Sequence, residues 1–306
     1  MTVRTLATVR TLATVLLVAV PAAALAACGG GGPSASAGAP IPVVATTTIH
    51  ADIVARIGGD RVSVSSIVPK GGEVHTFDPS PQDVARVAAA RLIVANGLGL
   101  DDWLAGLARD AGTTAPIVSL GDAVPADELI LEEGVPNPHA WLDPHLAATY
   151  GRATAEALGR IDPANGAAYT ANADSFAAEM TALADELQAT FEAIPAEDRK
   201  VVSFHDAMPY FARAFDLEIV GVIVSAPGQD PSAGELAALV DAIRASGARV
   251  ILSEIQFSDE LARTIAAETG AKVVSDLYTD SLGDPPVDTY PGMLRYDVDR
   301  IVAALR

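Results

Sequence analysis

The residues of this 306-residue chain best suited to chemistry are five histidines, His50, His75, His139, His145 and His205, and a single cysteine, Cys28. Neutral imidazole serves both as a general base near neutral pH and as a ligand for divalent transition metals. One cysteine cannot close an internal disulfide, complete a Cys-rich zinc site or hold an iron–sulfur cluster. Any transition metal carried by this chain must therefore be held by imidazoles and carboxylates. No histidines fall in H-E-x-x-H or H-x-H, and there is no G-x-S-x-G elbow, no Walker A loop and no complete G-x-G-x-x-G outside residues 29–40. A zinc-dependent hydrolase is thus an alternative without a motif behind it. If the histidines act together, distant parts of the chain must bring them together.

The elements able to do so are visible in the pattern of apolar residues. Strands are expected at Val43–Thr47, Val62–Val68, Leu92–Ala95 and Ile117–Leu120, with helices near 49–58, 81–90, 101–111 and 143–160. The second half repeats the alternation, with strands Val201–Phe204, Glu218–Val222, Arg249–Ser253 and Lys272–Ser275 and helices near 208–215, 232–246, 258–269 and 292–305. Strands alternating with helices make mainly parallel sheets covered on both faces. Ser80-Pro81, Asp143-Pro144 and Asp162-Pro163 each offer a capping side chain and then a proline, and Ser232 with Glu235 reads as a capping box. Between the halves, Tyr169, Ala173, Phe176, Met180, Leu183, Leu187, Phe191 and Ile194 recur every three or four residues. That spacing predicts one helix over 164–194, roughly 45 Å long, with a continuous apolar face. The expected fold class is α/β: two lobes, each a four-stranded, mainly parallel sheet flanked by helices, joined by one long rigid backbone helix. The expected divisions are an N-terminal lobe over 41–162, a linking helix over 163–195 and a C-terminal lobe over 196–306.

In such folds ligands bind beyond the carboxyl ends of the strands. His75 lies in the loop after the second strand, His139 in the long loop after the fourth, His205 directly after the first strand of the second half, and Asp280 just beyond its last strand. Two come from each half, so they can converge in the cleft between lobes. Glu254 at a strand end and His145 at a helix start are candidates to hydrogen-bond a ligand imidazole. Asp206 reads as a helix-start charge, Asp276 and Asp284 as alternates to Asp280, His50 as structural, and Trp141 as core support for the His139 loop. Residues 121–138 are long enough to form a lid.

The segments GGEVHTFDPSPQD, NPHAWLDPH, VVSFHDAMPYFARAFDL and YTDSLGD, together with ATTTIHADIVARIGGDRV, resemble the metal-specific substrate-binding proteins of ABC importers, the zinc and manganese receptor family. The resemblance covers the chain from about residue 41. It implies that His75, His139, His205 and Asp280 are the metal ligands, that the protein is not an enzyme, and that its partner is an ABC permease. It also implies a zinc-type member, because manganese members carry glutamate at the position of His205. Three imidazoles and one carboxylate suit Zn²⁺, the expected transported ligand, while Mn²⁺ prefers more oxygen; a manganese or iron receptor on the same scaffold is the alternative. The long His-rich loop of many zinc receptors is missing: residues 76–138 contain no histidine and keep only Asp127, Glu128, Glu132 and Glu133 as an acidic patch.

Residues 1–27 carry Arg4 and Arg10, no acid, and an apolar run ending in Leu25-Ala26-Ala27-Cys28. This reads as a lipoprotein signal peptide, with Cys28 the acylated anchor and residues 28–40 a flexible tether of roughly 20 Å. The protein is expected to be exported and held at the outer face of the cytoplasmic membrane, or to be periplasmic, as a monomer. Its formal charge of −19, which becomes −21 without residues 1–27, argues against nucleic acid as a partner.

Overall fold

Two runs of short apolar strands, each with the same order of pairing, organise the chain. A computed structural model of the protein describes residues 39–306; the expected signal peptide, Cys28 and most of the tether lie outside the described residues. The first half runs β1 (Ile41–Ala45), α1 (Thr48–Gly58), β2 (Val62–Ser66), α2 (Pro81–Ala89), β3 (Leu92–Ala95), α3 (Leu104–Ala111) and β4 (Ile117–Ser119). A two-residue-per-strand hairpin, β5 (Leu131–Glu132) and β6 (Val135–Pro136), precedes α4 (Pro144–Ile161) and α5 (Gly166–Glu192). The second half runs β7 (Lys200–His205), α6 (Pro209–Phe215), β8 (Glu218–Val224), α7 (Ala233–Ser246), β9 (Val250–Glu254), α8 (Glu260–Thr269), β10 (Lys272–Leu277) and α9 (Tyr290–Leu305).

The first sheet has the order β2-β1-β3-β4 and the second β10-β9-β7-β8, and every pairing in both is parallel. In each, the first and third strands of that half lie side by side at the centre, where the direction of winding reverses. Such a switch point opens a crevice at the carboxyl edge of the sheet.

Strand alternation divides the core. Val43, Ala45, Leu92 and Val94 face one way, into a cluster shared with Val201, Val250 and Leu252 of the second sheet. Val44, Ile93 and Ala95 face the other way, onto Val87, Leu104 and Leu107 of α2 and α3. In the second half Val202, Phe204 and Ile251 likewise pack on Leu239, Ile243 and Ile265 of α7 and α8. One continuous core therefore lies between the sheets, with a smaller cluster outside each.

The linking helix supplies the middle of that core. All eight residues of the expected stripe are buried, and Tyr169, Met180 and Phe191 are fully so. Its 27 residues make a rod of about 40 Å. Two of the expected caps form, Ser232 with Glu235 as a capping box on α7 and Asp143 accepting from the His145 amide ahead of Pro144 on α4, whereas Asp162 caps no helix and accepts instead from the side chains of Asn165 and Tyr169. The hairpin was not expected. Glu133 and Gly134 both have positive φ, 51° and 86°, which is how a two-residue loop reverses a hairpin. Glutamate at the first of these positions, with its longer side chain, hides the turn from a search for Asn-Gly or Asp-Gly.

Candidate metal centre

The carboxyl edges of both sheets face one another, and the centre is built from what they carry. β7 and β9 are neighbouring parallel strands. Their last residues, His205 and Glu254, therefore stand side by side, and Nδ1 of His205 donates to Oε1 of Glu254 at 3.0 Å. This leaves Nε2 of His205 directed at the opposite lobe. His205 is the last residue of its strand, not the first beyond it, because the ladder with β8 continues to the pair His205–Val224. His139 sits at the entry to the short turn Ala140–Leu142 that leads into α4, and its Nδ1 donates to Oδ1 of Asn137 at 2.9 Å. The backbone N–H of His75 donates to Glu73 at 2.6 Å.

The outcome is a cluster in which one atom from each of His75, His139, His205 and Asp280 lies within 4.8 Å of every other. Nε2 of His75 and Nε2 of His139 are 3.2 Å apart. Asp280 reaches all three rings, with Oδ2 at 3.8 Å from His75 and 3.5 Å from His205, and Oδ1 at 3.7 Å from His139. Nε2 of His205, Oδ1 of Asp280 and Oε2 of Glu254 are buried without a hydrogen-bond partner. Buried polar atoms are normally paired. A convergent set that lacks partners is suited to a cation.

The electrostatics differ around the ring of candidate ligands. Burial, aided by the charge of His205, pushes His75 down to about 4 and His139 well below the ordinary imidazole range. Both are therefore neutral, with a lone pair free, at neutral pH. Burial also pulls on His205, but Glu254, Asp280 and Glu73 outweigh it and raise it to about 9. Burial raises Asp280 to about 7 against the opposing pull of His205. A positive charge between Asp280 and Glu254 is what this pocket stabilises.

The Asp280 segment is sewn to the first lobe. Trp141 donates its indole N–H to the carbonyl of Thr279 at 2.8 Å, and the amide of Gly71 donates to the Ser281 hydroxyl at 2.9 Å. The amide of Leu282 donates to the Thr48 hydroxyl at 2.7 Å, and that of Tyr290 to Asp52 at 2.9 Å. Gln256 holds Oδ2 of Asp280 at 3.1 Å. Trp141, fully buried and edge-on to His50, is the core support expected of it.

Some candidates fall elsewhere. His145 is exposed in the first turn of α4, engaged through its backbone only, so it holds no ligand imidazole. Asp276 bonds Tyr296 and Arg300, and Asp284 pairs with Lys70 at the surface. Asp206 is not the start of α6, whose first residue is Pro209. Its carboxylate lies beside Glu132, which burial and Asp206 together push up to about 7. Three neighbours escaped the sequence reading. Asn137 had a signal in N-P-H, Glu73 in E-V-H and Gln256 in S-E-I-Q, but nothing in their spacing distinguishes them from surface polar residues.

The comparisons agree with this geometry. The family model of the periplasmic zinc-uptake complex component A matches residues 43–304. The chain is 28% identical over 304 residues to the manganese ABC transporter substrate-binding lipoprotein PsaA of Streptococcus anginosus, covering 96% of this chain and 98% of that one. It is 33% identical to the iron-binding protein YfeA of Yersinia pestis, covering 85% of this chain and 84% of that protein. Among solved structures, the periplasmic zinc-binding protein TroA of Treponema pallidum superposes with a TM-score of 0.80 at 25% identity, covering 88% of this chain and 99% of that one. The Mn-bound periplasmic metal-binding protein of Candidatus Liberibacter asiaticus gives 0.78 at 27% identity, covering 86% and 99%. With the fold, the cleft and the matched length in agreement, the chain belongs to the zinc-uptake complex component A family and is an extracytoplasmic metal-binding receptor of an ABC importer, not an enzyme.

Proposed function

We propose that His75, His139, His205 and Asp280 together hold one transported Zn²⁺, which the receptor hands to its permease. The observation that carries this reading is the set of separations among the four residues' nitrogen and oxygen atoms, 3.2 to 3.8 Å for His75–His139 and for Asp280 with each imidazole. A tetrahedral zinc with bonds of about 2.05 Å sets edges of about 3.4 Å. Three imidazoles and one carboxylate are also the donor types zinc favours, and four protein ligands close the shell as a carrier requires. Glu254 fixes the ring of His205, and Asn137 that of His139, in the orientation a ligand needs.

A second reading has its own support. Both oxygens of Asp280 face imidazoles, which allows a bidentate carboxylate and a five-coordinate Mn²⁺ or Fe²⁺, and several relatives are named for manganese or iron. Competitive titration of the mature domain with zinc and manganese, wild type beside His205→Ala, separates the two. Tighter zinc binding that is lost in the variant supports the zinc reading; tighter manganese binding replaces it.

The same reading places Cys28 as an acylated membrane anchor, supported by the lipoprotein names of the relatives, with a monomeric receptor on a short tether. Labelling with a fatty-acid analogue, abolished by Cys28→Ala, tests the anchor.

A further inference from the structure

The described residues include three large hydrophobic side chains that are strongly exposed, and two of them, Leu131 at 58% and Val135 at 63%, share the β5–β6 hairpin. A single exposed hydrophobic residue means little, but a pair on one projecting element beside a functional cleft marks a contact surface. The hairpin forms part of the rim of the metal centre. Glu132, Val135 and Pro136 line the same opening, of about 270 Å³, as His139 and His205. Whatever receives the ion must seat over that opening.

The base of the hairpin is fixed while its tip is bare. Tyr210 accepts from the amide of Ile130 and donates to the carbonyl of Asn137, both at 3.0 Å. The side-chain amide of Asn137 donates to Glu132 at 2.9 Å and to the carbonyl of Asp206 at 2.7 Å, while its oxygen accepts from Nδ1 of His139. One residue thus joins the hairpin to a ring of the metal cluster. Next to the opening is a second feature, a hollow of about 490 Å³ whose lining includes Phe204, Phe257 and Leu261. The ring of Phe257 stands edge-on to His205 at 5.2 Å. Pro227 borders both the hollow and the opening, so knob and hollow belong to one face.

We propose that the 131–136 hairpin is the element that docks on the importer's membrane permease, with Leu131 and Val135 entering an apolar recess on its outward surface. The flanking charge names the partner's chemistry. Asp127, Glu128 and Glu133 are exposed around the knob, and neither Asp127 nor Glu133 takes part in an ion pair among the described residues. A recess bordered by Lys or Arg complements them, whereas an anionic lipid surface repels them. Because Asn137 bonds both the hairpin and His139, displacement of the hairpin on docking loosens a ligand at the moment the receiving channel is in place.

The proposal rests on the reading of His139 and His205 as metal ligands. Its test uses the full chain in cells lacking the native copy, and the purified mature domain against the permease–ATPase complex in lipid nanodiscs. For L131S/V135S we expect zinc and manganese affinity within about twofold of wild type. Affinity for the permease and uptake of radiolabelled metal should each fall by about tenfold or more. Glu133→Lys should weaken permease binding and raise its salt sensitivity, again with metal binding intact. Permease affinity and uptake within about twofold of wild type in L131S/V135S would overturn the proposal. So would a wild-type dimer in sedimentation that the variant abolishes, or retention on permease-free vesicles that depends on the hairpin. If the wild type binds neither metal, the metal-centre reading fails, while permease affinity still decides the docking element separately.

Discussion

The two halves of the candidate metal centre are built differently. The first lobe contributes His75 and His139 from loops beyond strand ends, and neither ring has a carboxylate from its own lobe as a hydrogen-bond partner; His139 leans on the neutral Asn137. The second lobe contributes His205 from a central strand end, hydrogen-bonded to Glu254, with Asp280 against it. Burial drives the first pair neutral, while the carboxylates hold the second-lobe ring charged. One half therefore offers preformed neutral donors, and the other supplies the negative charge that makes a buried cation tolerable. The asymmetry also explains the wiring. The charged half is sewn into the interlobe core through Thr279, Ser281 and Leu282, and the neutral half is tethered to the exposed rim through Asn137.

The contrast can be broken in order of effect. Asp280→Ala removes the one carboxylate of the cluster and should lower metal affinity by more than about a hundredfold, and by more than His75→Ala does, in competitive titration. Equal losses from the two would contradict the division of labour. Glu254→Gln keeps the shape and a hydrogen-bond partner but removes a charge, so affinity should fall about 10- to 100-fold without a change in the number of ions bound. Asn137→Ala frees the His139 ring without removing a charge, and also takes one hydrogen bond from Glu132. A loss near tenfold is expected, at the low end of the same range, with faster metal release in stopped-flow chelation.

A fourth prediction concerns the floor of the neutral half. His50 is fully buried against Trp141 and Tyr150, its Nδ1 paired with the Thr47 hydroxyl, and burial pushes it down to about 3. It stays neutral in the folded protein, whereas the unfolded chain takes up a proton below about pH 6.5. Its contribution is therefore complete above pH 6.5 and is lost as pH falls from 6.5 towards 3, by about 1.4 kcal/mol per pH unit. Denaturant melts of the metal-free mature domain at pH 7.5 and about pH 5.5 should show a shallower pH dependence for His50→Gln than for wild type.

Much of the molecule is legible in its sequence. The α5 stripe from Tyr169 to Phe191 is a period of three and four on one buried face, and periodicity is a local property. The caps at Asp143 and Ser232 were readable for the same reason, since a cap involves residues two or three apart. The hairpin escaped because strands of two residues have no period to detect. His145 looked like Glu254 in sequence, each near a ligand motif at an element's end. They part because α4 turns His145 alone to solvent while Pro144 and Leu146 on either side are buried, whereas β9 delivers its last residue beside β7.

The sequence by itself determined which residues could bind a metal and which strand ends they follow. With one cysteine the ligands had to be imidazoles and carboxylates, and βα alternation directs them to a common edge. Only the tertiary structure decided the rest. Glu254 meets His205 because two strands far apart in the chain are neighbours in a sheet. Asn137 joins the rim to His139, and the Asp280 loop is fixed to the opposite lobe by hydrogen bonds between distant segments. Pairing and burial are set by what packs nearby, and no local spacing encodes that.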